Sequence, residues 1–190
     1  MLTTASLAAC ATTGPVDTTI DAAQAWEQRQ AKSYRLNNWR LDGKLGVQLQ
    51  NEAWNVGLDW RQHFDDYRIE VRDLLGRKQA QLIGSPQGVS LQTGRNDSFQ
   101  AADAETLMLD VLGWSLPLKG LRYWVLGVPD PDGIANRTEW DDVGRLRALE
   151  QSGWKVDYVR YAAESELPDR IALSAEGVKL KLVVRDWRLE

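Results

Sequence analysis

The sequence predicts a mainly β fold of the α+β class. It is an antiparallel barrel or deeply curved half-barrel of about eleven strands, with an N-terminal helix and inserted helices that close its apolar face. Three observations carry this. From Trp39 onward, apolar residues recur at every second position in one short run after another. Turn residues separate most of the runs, so neighbouring strands form antiparallel hairpins. One face of the resulting sheet is apolar throughout and must be covered, which a curled sheet under helices achieves.

Residues 18–36 read as a helix. Thr18 and Asp21 make a capping-type start, and Ile20, Ala23 and Trp26 share a face. In the first strand Leu41, Gly43, Leu45, Val47 and Leu49 alternate with polar residues, up to a turn at Asn51-Glu52. In the second, Trp54, Val56, Leu58 and Trp60 alternate with Asn55, Gly57, Asp59 and Arg61. The third carries Tyr67, Ile69 and Val71. Strands near 77–84, 88–93 and 96–100 follow. A helix then starts at Asp103, an N-cap, and lines up Leu107, Met108, Val111 and Leu112 before Gly113. A second short helix has Pro117 in its first turn and a stripe of Leu118, Leu121, Trp124 and Val125, with Gly127 and Pro129 ending it. Strands resume near 136–141, 144–151, 153–161, 169–175 and 178–187.

Composition narrows the function. A chain of 190 residues is expected to be one domain with a proper core. One Cys forms no internal disulfide, and one Cys with one His falls short of an ordinary zinc site. A net charge of −4 argues against nucleic-acid binding through bulk positive charge. His63 sits in a turn and reads as a solvated histidine. Asp130-x-Asp132-Gly133 resembles a calcium loop, but Pro131 and the lack of a Glu at the twelfth position favour a plain turn. No nucleophile elbow, phosphate loop or zinc-protease motif is present, so no catalytic residue, metal or cofactor is expected.

Nine Trp against two Phe is the unusual count. Core filling explains any one Trp. Together they raise the prospect of a cavity wall, because rigid rings line a space without collapsing into it. The candidate wall is Leu45, Val47, Leu49, Trp54, Val56, Leu58, Trp60, Ile69, Val71, Leu121, Trp124, Trp154 and Leu180. Leu74-Leu75-Gly76 breaks the rule that turns are polar. Either the leucines fold back onto the core, or they form an exposed apolar tip that touches a membrane or a partner.

The start of the chain carries a further signal. Residues 1–9 are apolar or small and read as a truncated signal-peptide remnant. Residues 10–17 read as a lipidated linker, and 18–190 as the folded domain. Leu7-Ala8-Ala9-Cys10 matches the bacterial lipobox, which makes Cys10 the candidate lipidation site.

These residues bring a family into view. The chain resembles LolB, the outer-membrane lipoprotein receptor family, over nearly its whole length. The likeness runs through the lipobox, the helix around Trp26 and Trp39-Arg40-Leu41-Asp42-Gly43-Lys44-Leu45-Gly46-Val47. It continues in Leu58-Asp59-Trp60-Arg61-Gln62, Tyr67-Arg68-Ile69, Gly153-Trp154-Lys155-Val156 and Val178-Lys179-Leu180-Lys181-Leu182. The segment from Leu116 to Pro129 is the most specific.

The resemblance implies an unclosed antiparallel barrel with an inserted helical lid over an apolar cavity, in a non-enzymatic monomer that takes acylated lipoprotein cargo from a LolA-like periplasmic carrier. It would insert that cargo into outer-membrane lipid without ATP hydrolysis. It also implies an outer-membrane position on the periplasmic face, anchored by lipid at Cys10. Ala11, rather than Asp, fits outer-membrane sorting. The family's loop usually reads Pro-Leu-Gly, so Leu75 takes the place of the inserting leucine and Leu74 that of proline. A tethered carrier of another small apolar ligand is the alternative, followed by a structural subunit with a solid core.

Overall fold

Eleven antiparallel strands form a single sheet, accompanied by three helices, in a computed structural model that describes residues 21–95 and 97–190, without the side chain of Leu112. The helices are α1 (Ala22–Ser33), α2 (Ala104–Leu112) and α3 (Leu118–Trp124). The strands are β1 (Asn38–Gln48), β2 (Ala53–His63), β3 (Asp66–Arg72), β4 (Lys78–Ser85), β5 (Gly88–Thr93) and β6 (Ser98–Ala101), then β7 (Ala135–Trp140), β8 (Leu146–Gln151), β9 (Trp154–Tyr161), β10 (Pro168–Ala175) and β11 (Val178–Leu189). Their order across the sheet is β6-β5-β4-β3-β2-β1-β11-β10-β9-β8-β7.

The chain therefore enters mid-sheet at β1 and meanders out to the edge strand β6. It crosses through α2 and α3 to the other edge, β7, and returns until β11 pairs with β1. The edges β6 and β7 do not pair, so the barrel stays open. The crossing segment is the lid. Its helices lay apolar stripes on the apolar sheet face, burying Leu107, Leu118, Leu121 and Trp124.

Antiparallel pairing sends successive hairpins to opposite ends. The β1–β2, β3–β4, β5–β6, β8–β9 and β10–β11 connections share one end, the rim. The β2–β3, β4–β5, β7–β8 and β9–β10 connections share the base. Helix α1 docks at the base. Trp26 stacks on Trp140 at 5.6 Å between centroids, and Arg29 Nε donates to the Val143 carbonyl at 3.1 Å.

The outer face carries charges in rows across the strands. Arg188, Arg40, Arg61 and Arg68 form one row, and Asp186, Asp42, Asp59 and Glu70 the next. Like charges directly opposite would repel, and the adjacent row cancels them. Asp59 pairs with Arg40 and Arg61, Glu70 with Arg72, Asp42 with Arg185, and Asp186 with Arg188. This explains why Asp59, on the polar face, is buried.

Element bounds differ from the sequence expectation in places, each for a local reason. Helix α1 is shorter than residues 18–36. Thr18 lies outside the described residues, and Asp21 at the N-cap makes no side-chain capping bond. The helix stops because Tyr34 turns to donate its hydroxyl to the Pro129 carbonyl at 3.0 Å. Helix α3 ends at Trp124, with Val125 as C-cap, before Gly127. Strand β8 starts at Leu146, because Gly144 and Arg145 belong to a closed hairpin loop.

Candidate functional site: an apolar cavity beside an exposed leucine loop

Under the lid, the β1–β5 half of the sheet encloses a cavity of about 560 Å³. That lies within the ~300–1,000 Å³ typical of small-molecule sites. The strands contribute alternate residues: Leu45, Val47 and Leu49 from β1 and its end, Trp54, Val56, Leu58 and Trp60 from β2, Ile69 and Val71 from β3, and Leu180 and Leu182 from β11. The period of two puts each set on the inner face. Met108, Val111, Trp114, Leu116, Leu118, Leu121 and Val125 close the cavity from the lid, and Leu82, Leu91 and Leu173 complete the wall.

Polar groups reach the cavity only where it meets the rim, at Glu52, Gln79 and Thr93. Glu52 is the one charged residue in the wall. Several wall residues, including Leu45, Trp54, Val56, Met108 and Trp114, are only half-buried, because they face the void. Such a space can shield an apolar group from water.

Eleven of the thirteen residues expected in the wall are there, and Trp124 and Trp154 are not. Trp124 is fully buried, and its indole N–H donates to Gln151 Oε1 at 2.8 Å. Trp154 is buried on β9, opposite Gln151. Trp154 stands on the other half of the sheet and Trp124, from α3, bonds to it there, where Leu146, Leu149, Val156 and Ile171 are also buried. The open sheet is thus hollow on one side and filled on the other. The filled half ties down the lid. Gln151 also accepts from the Asp130 N–H at 2.8 Å and donates to the Asp130 and Gly133 carbonyls at 2.8 and 2.9 Å. Trp114, which the alternation rule does not reach, enters the wall from the α2–α3 connection.

The leucine loop stands at the rim, between β3 and β4. Leu74 is 82% exposed and Leu75 78%, so they do not fold back onto the core. Asp73 builds the loop. One carboxylate oxygen accepts from the Leu75 and Arg77 N–H groups, both at 2.9 Å. The other accepts from Arg77 Nε at 2.7 Å and Gln79 Nε2 at 3.0 Å. Gly76 closes the turn at φ 80°, where only glycine sits without strain. Partial desolvation would raise the Asp73 pKa. Hydrogen bonds from the Arg77 N–H and side chain and from the Leu75 N–H outweigh it and hold the carboxyl below its usual range. Gln79 also lines the cavity, so one side chain joins loop and wall.

The same scheme recurs at the base. In Asp141–Arg145, Asp141 accepts from the Val143 and Arg145 N–H groups at 3.1 and 2.9 Å, and Gly144 has φ 72°. That loop is covered: a Cβ on Gly144 would come within 2.3 Å of the Trp26 backbone nitrogen. One scaffold serves twice, docked against α1 at the base and uncovered at the rim.

Of the remaining sequence candidates, His63 is exposed at the end of β2, against Phe64. Asp130 accepts from the Asp132 N–H at 3.0 Å within its turn. Cys10 and the lipobox lie outside the described residues.

Comparison with known proteins places this architecture. Among solved structures, a LolA-superfamily protein from Nitrosomonas europaea aligns with a TM-score of 0.57 at 9% identity, covering 90% of this chain and 94% of that one. A putative outer membrane lipoprotein-sorting protein domain from Vibrio parahaemolyticus aligns at 0.55 and 7%, over 90% and 92% of the two chains. At those identities the likeness is one of fold. Sequence relatives are nearer. The outer-membrane lipoprotein LolB of Nitrosococcus oceani is 35% identical over 185 residues, 96% of this chain and 92% of the relative. That of Stutzerimonas stutzeri is 36% identical over 186 residues, 96% and 90% of the two. The family described as outer membrane lipoprotein LolB matches residues 37–187. With that match spanning most of the described fold, the chain belongs to the outer membrane lipoprotein LolB family.

Proposed function

We propose that this protein is an outer-membrane lipoprotein receptor. It takes acylated lipoproteins from a LolA-like periplasmic carrier into the cavity and passes them to the bilayer through Leu74 and Leu75. One observation carries the reading: in a chain of this family, an apolar cavity reaches the rim beside two exposed leucines held on a rigid loop.

The energetics suit transfer without ATP hydrolysis. Shielding an acyl methylene from water is worth ~0.8 kcal/mol, so a chain of about sixteen carbons needs on the order of 12 kcal/mol of cover wherever it goes. The cavity supplies cover in transit, and a bilayer supplies it more completely. The chain can then move downhill.

A lipid on Cys10 supports residence at the periplasmic face of the outer membrane, because two or more acyl chains anchor stably where one does not. Cys10→Ala is expected to move the protein from the membrane fraction to the soluble periplasm.

Competition in the cavity tests the binding half of the proposal. A fluorescent fatty acid is expected to bind with a change in tryptophan emission, and an acylated lipoprotein should displace it. Binding of the fatty acid without displacement would instead favour a tethered carrier of a different apolar ligand. Absence of any binding would favour a solid structural subunit.

A further inference from the structure

We propose that a groove beside the leucine loop binds the phosphate groups of lipids at the bilayer surface. The inference rests on the reading of Leu74 and Leu75 as the residues that enter the membrane, and adds a second contact to it.

The groove, of about 630 Å³, lies at the rim between the β3–β4 and β5–β6 connections. Arg77, Lys78, Gln79, Thr93, Arg95 and Asp97 line it. Its charges are unequal. Arg77 is held by Asp73 at 2.7 Å, and Asp97 accepts weakly from the Thr93 hydroxyl at 3.4 Å. Lys78 and Arg95 are exposed, and neither forms an ion pair among the described residues. The setting makes this notable. The whole chain carries a net charge of −4, and much of the outer face pairs its arginines with its own carboxylates.

Position decides the ligand. Arg77 and Lys78 follow Leu74-Leu75-Gly76 directly in the chain. When the leucines enter the acyl region, these cations come to the depth of the headgroups, where the phosphates lie. The Arg77 guanidinium, fixed by Asp73, keeps further N–H donors for a phosphate oxygen. Lys78 and Arg95 add point charges on either side. A basic residue near an anionic bilayer contributes enough that losing two lowers affinity about tenfold or more.

The test is binding of the Cys10→Ala protein, which carries no lipid anchor of its own, to vesicles of phosphatidylcholine alone or with added phosphatidylglycerol. The protein is expected to prefer the anionic vesicles about tenfold, and added sodium chloride should erode that preference. The double variant Lys78→Gln/Arg95→Gln should lose the preference, keep its binding to phosphatidylcholine and melt as the parent does. Lys181→Gln, an exposed change on β11, should leave the preference intact. Inorganic phosphate should compete no better than sodium chloride of equal ionic strength. Stronger competition would assign the groove to a soluble phosphate and overturn the bilayer assignment. An unchanged preference in the double variant, or its loss in Lys181→Gln, would also overturn it. Leu75→Glu separates this proposal from the reading beneath it. That variant should weaken binding to both vesicle types, and normal binding to both would contradict the leucine reading itself.

Discussion

At the scale of single residues, the leucine loop depends on Asp73. Its carboxylate gathers the Leu75 and Arg77 N–H groups, the Arg77 guanidinium and the Gln79 amide. Asp73→Ala should free the loop, raising amide exchange at Leu75 and Arg77 while the strands stay protected. Asp73→Asn keeps an acceptor for the backbone and should fall between the two. The pH dependence follows from the depressed pKa. A carboxyl held below the ordinary value of 3.8 stabilises the folded loop above that value and loses its effect as pH falls through the folded value. Protection at Leu75 should therefore hold from neutral pH through the ordinary aspartate range and vanish only below it. Amide exchange followed by NMR across that range checks both predictions. The leucine pair was legible in the sequence as a break in turn chemistry, but the break alone left open whether it folds back onto the core or stands out. The Asp73 scaffold was not, because Asp-x-x-Gly-Arg is ordinary turn composition until its hydrogen bonds are seen.

At the scale of elements, the lid has a fixed end and a lighter one. Gln151 holds Trp124 and the turn at Asp130–Gly133 through four hydrogen bonds, while half-buried Met108, Val111 and Trp114 face the void. Gln151→Leu would leave the Trp124 indole N–H and the Asp130 N–H without that acceptor inside the core, while the Asp130 carbonyl keeps the Gly133 N–H. Each such loss costs about 1–3 kcal/mol, so urea unfolding should show a destabilisation of about 3 kcal/mol or more. Trp114→Ala removes part of the cover without breaking a network, and should speed release of a bound fatty acid with little loss of stability. The strands were readable because alternation is a local signal. Helix ends were less so: the end of α1 at Tyr34 is settled by its contact with the distant Pro129 carbonyl. The same holds for Trp114, whose place in the wall follows from where the crossing segment runs.

At the scale of the whole molecule, the division into a hollow and a filled half sets the function. The eleven-stranded sheet ends in the unpaired edges β6 and β7. No pattern in the strands distinguishes the halves: Trp60 and Trp154 both stand on inner faces, yet only Trp60 meets the cavity. The difference arises from the lid, which buries Trp124 against β8 and bridges the space over β2 and β3. Val56→Trp puts bulk into the void rather than into packed core. It should lower fatty-acid affinity at least about tenfold and leave thermal stability close to the parent, since the added volume meets space. Unchanged affinity would place the ligand elsewhere.

The central claim is that cargo passes through the cavity and leaves by way of the leucine loop. A transfer assay tests it most directly, with a labelled lipoprotein on its carrier, this protein and vesicles, without nucleotide. The label should move to this protein and then to the vesicles. With Leu75→Glu it should still leave the carrier, but stall on the variant, with transfer to vesicles reduced at least about tenfold. Transfer to vesicles at the parent's rate by Leu75→Glu, or no transfer from the carrier to the parent protein, would contradict the account.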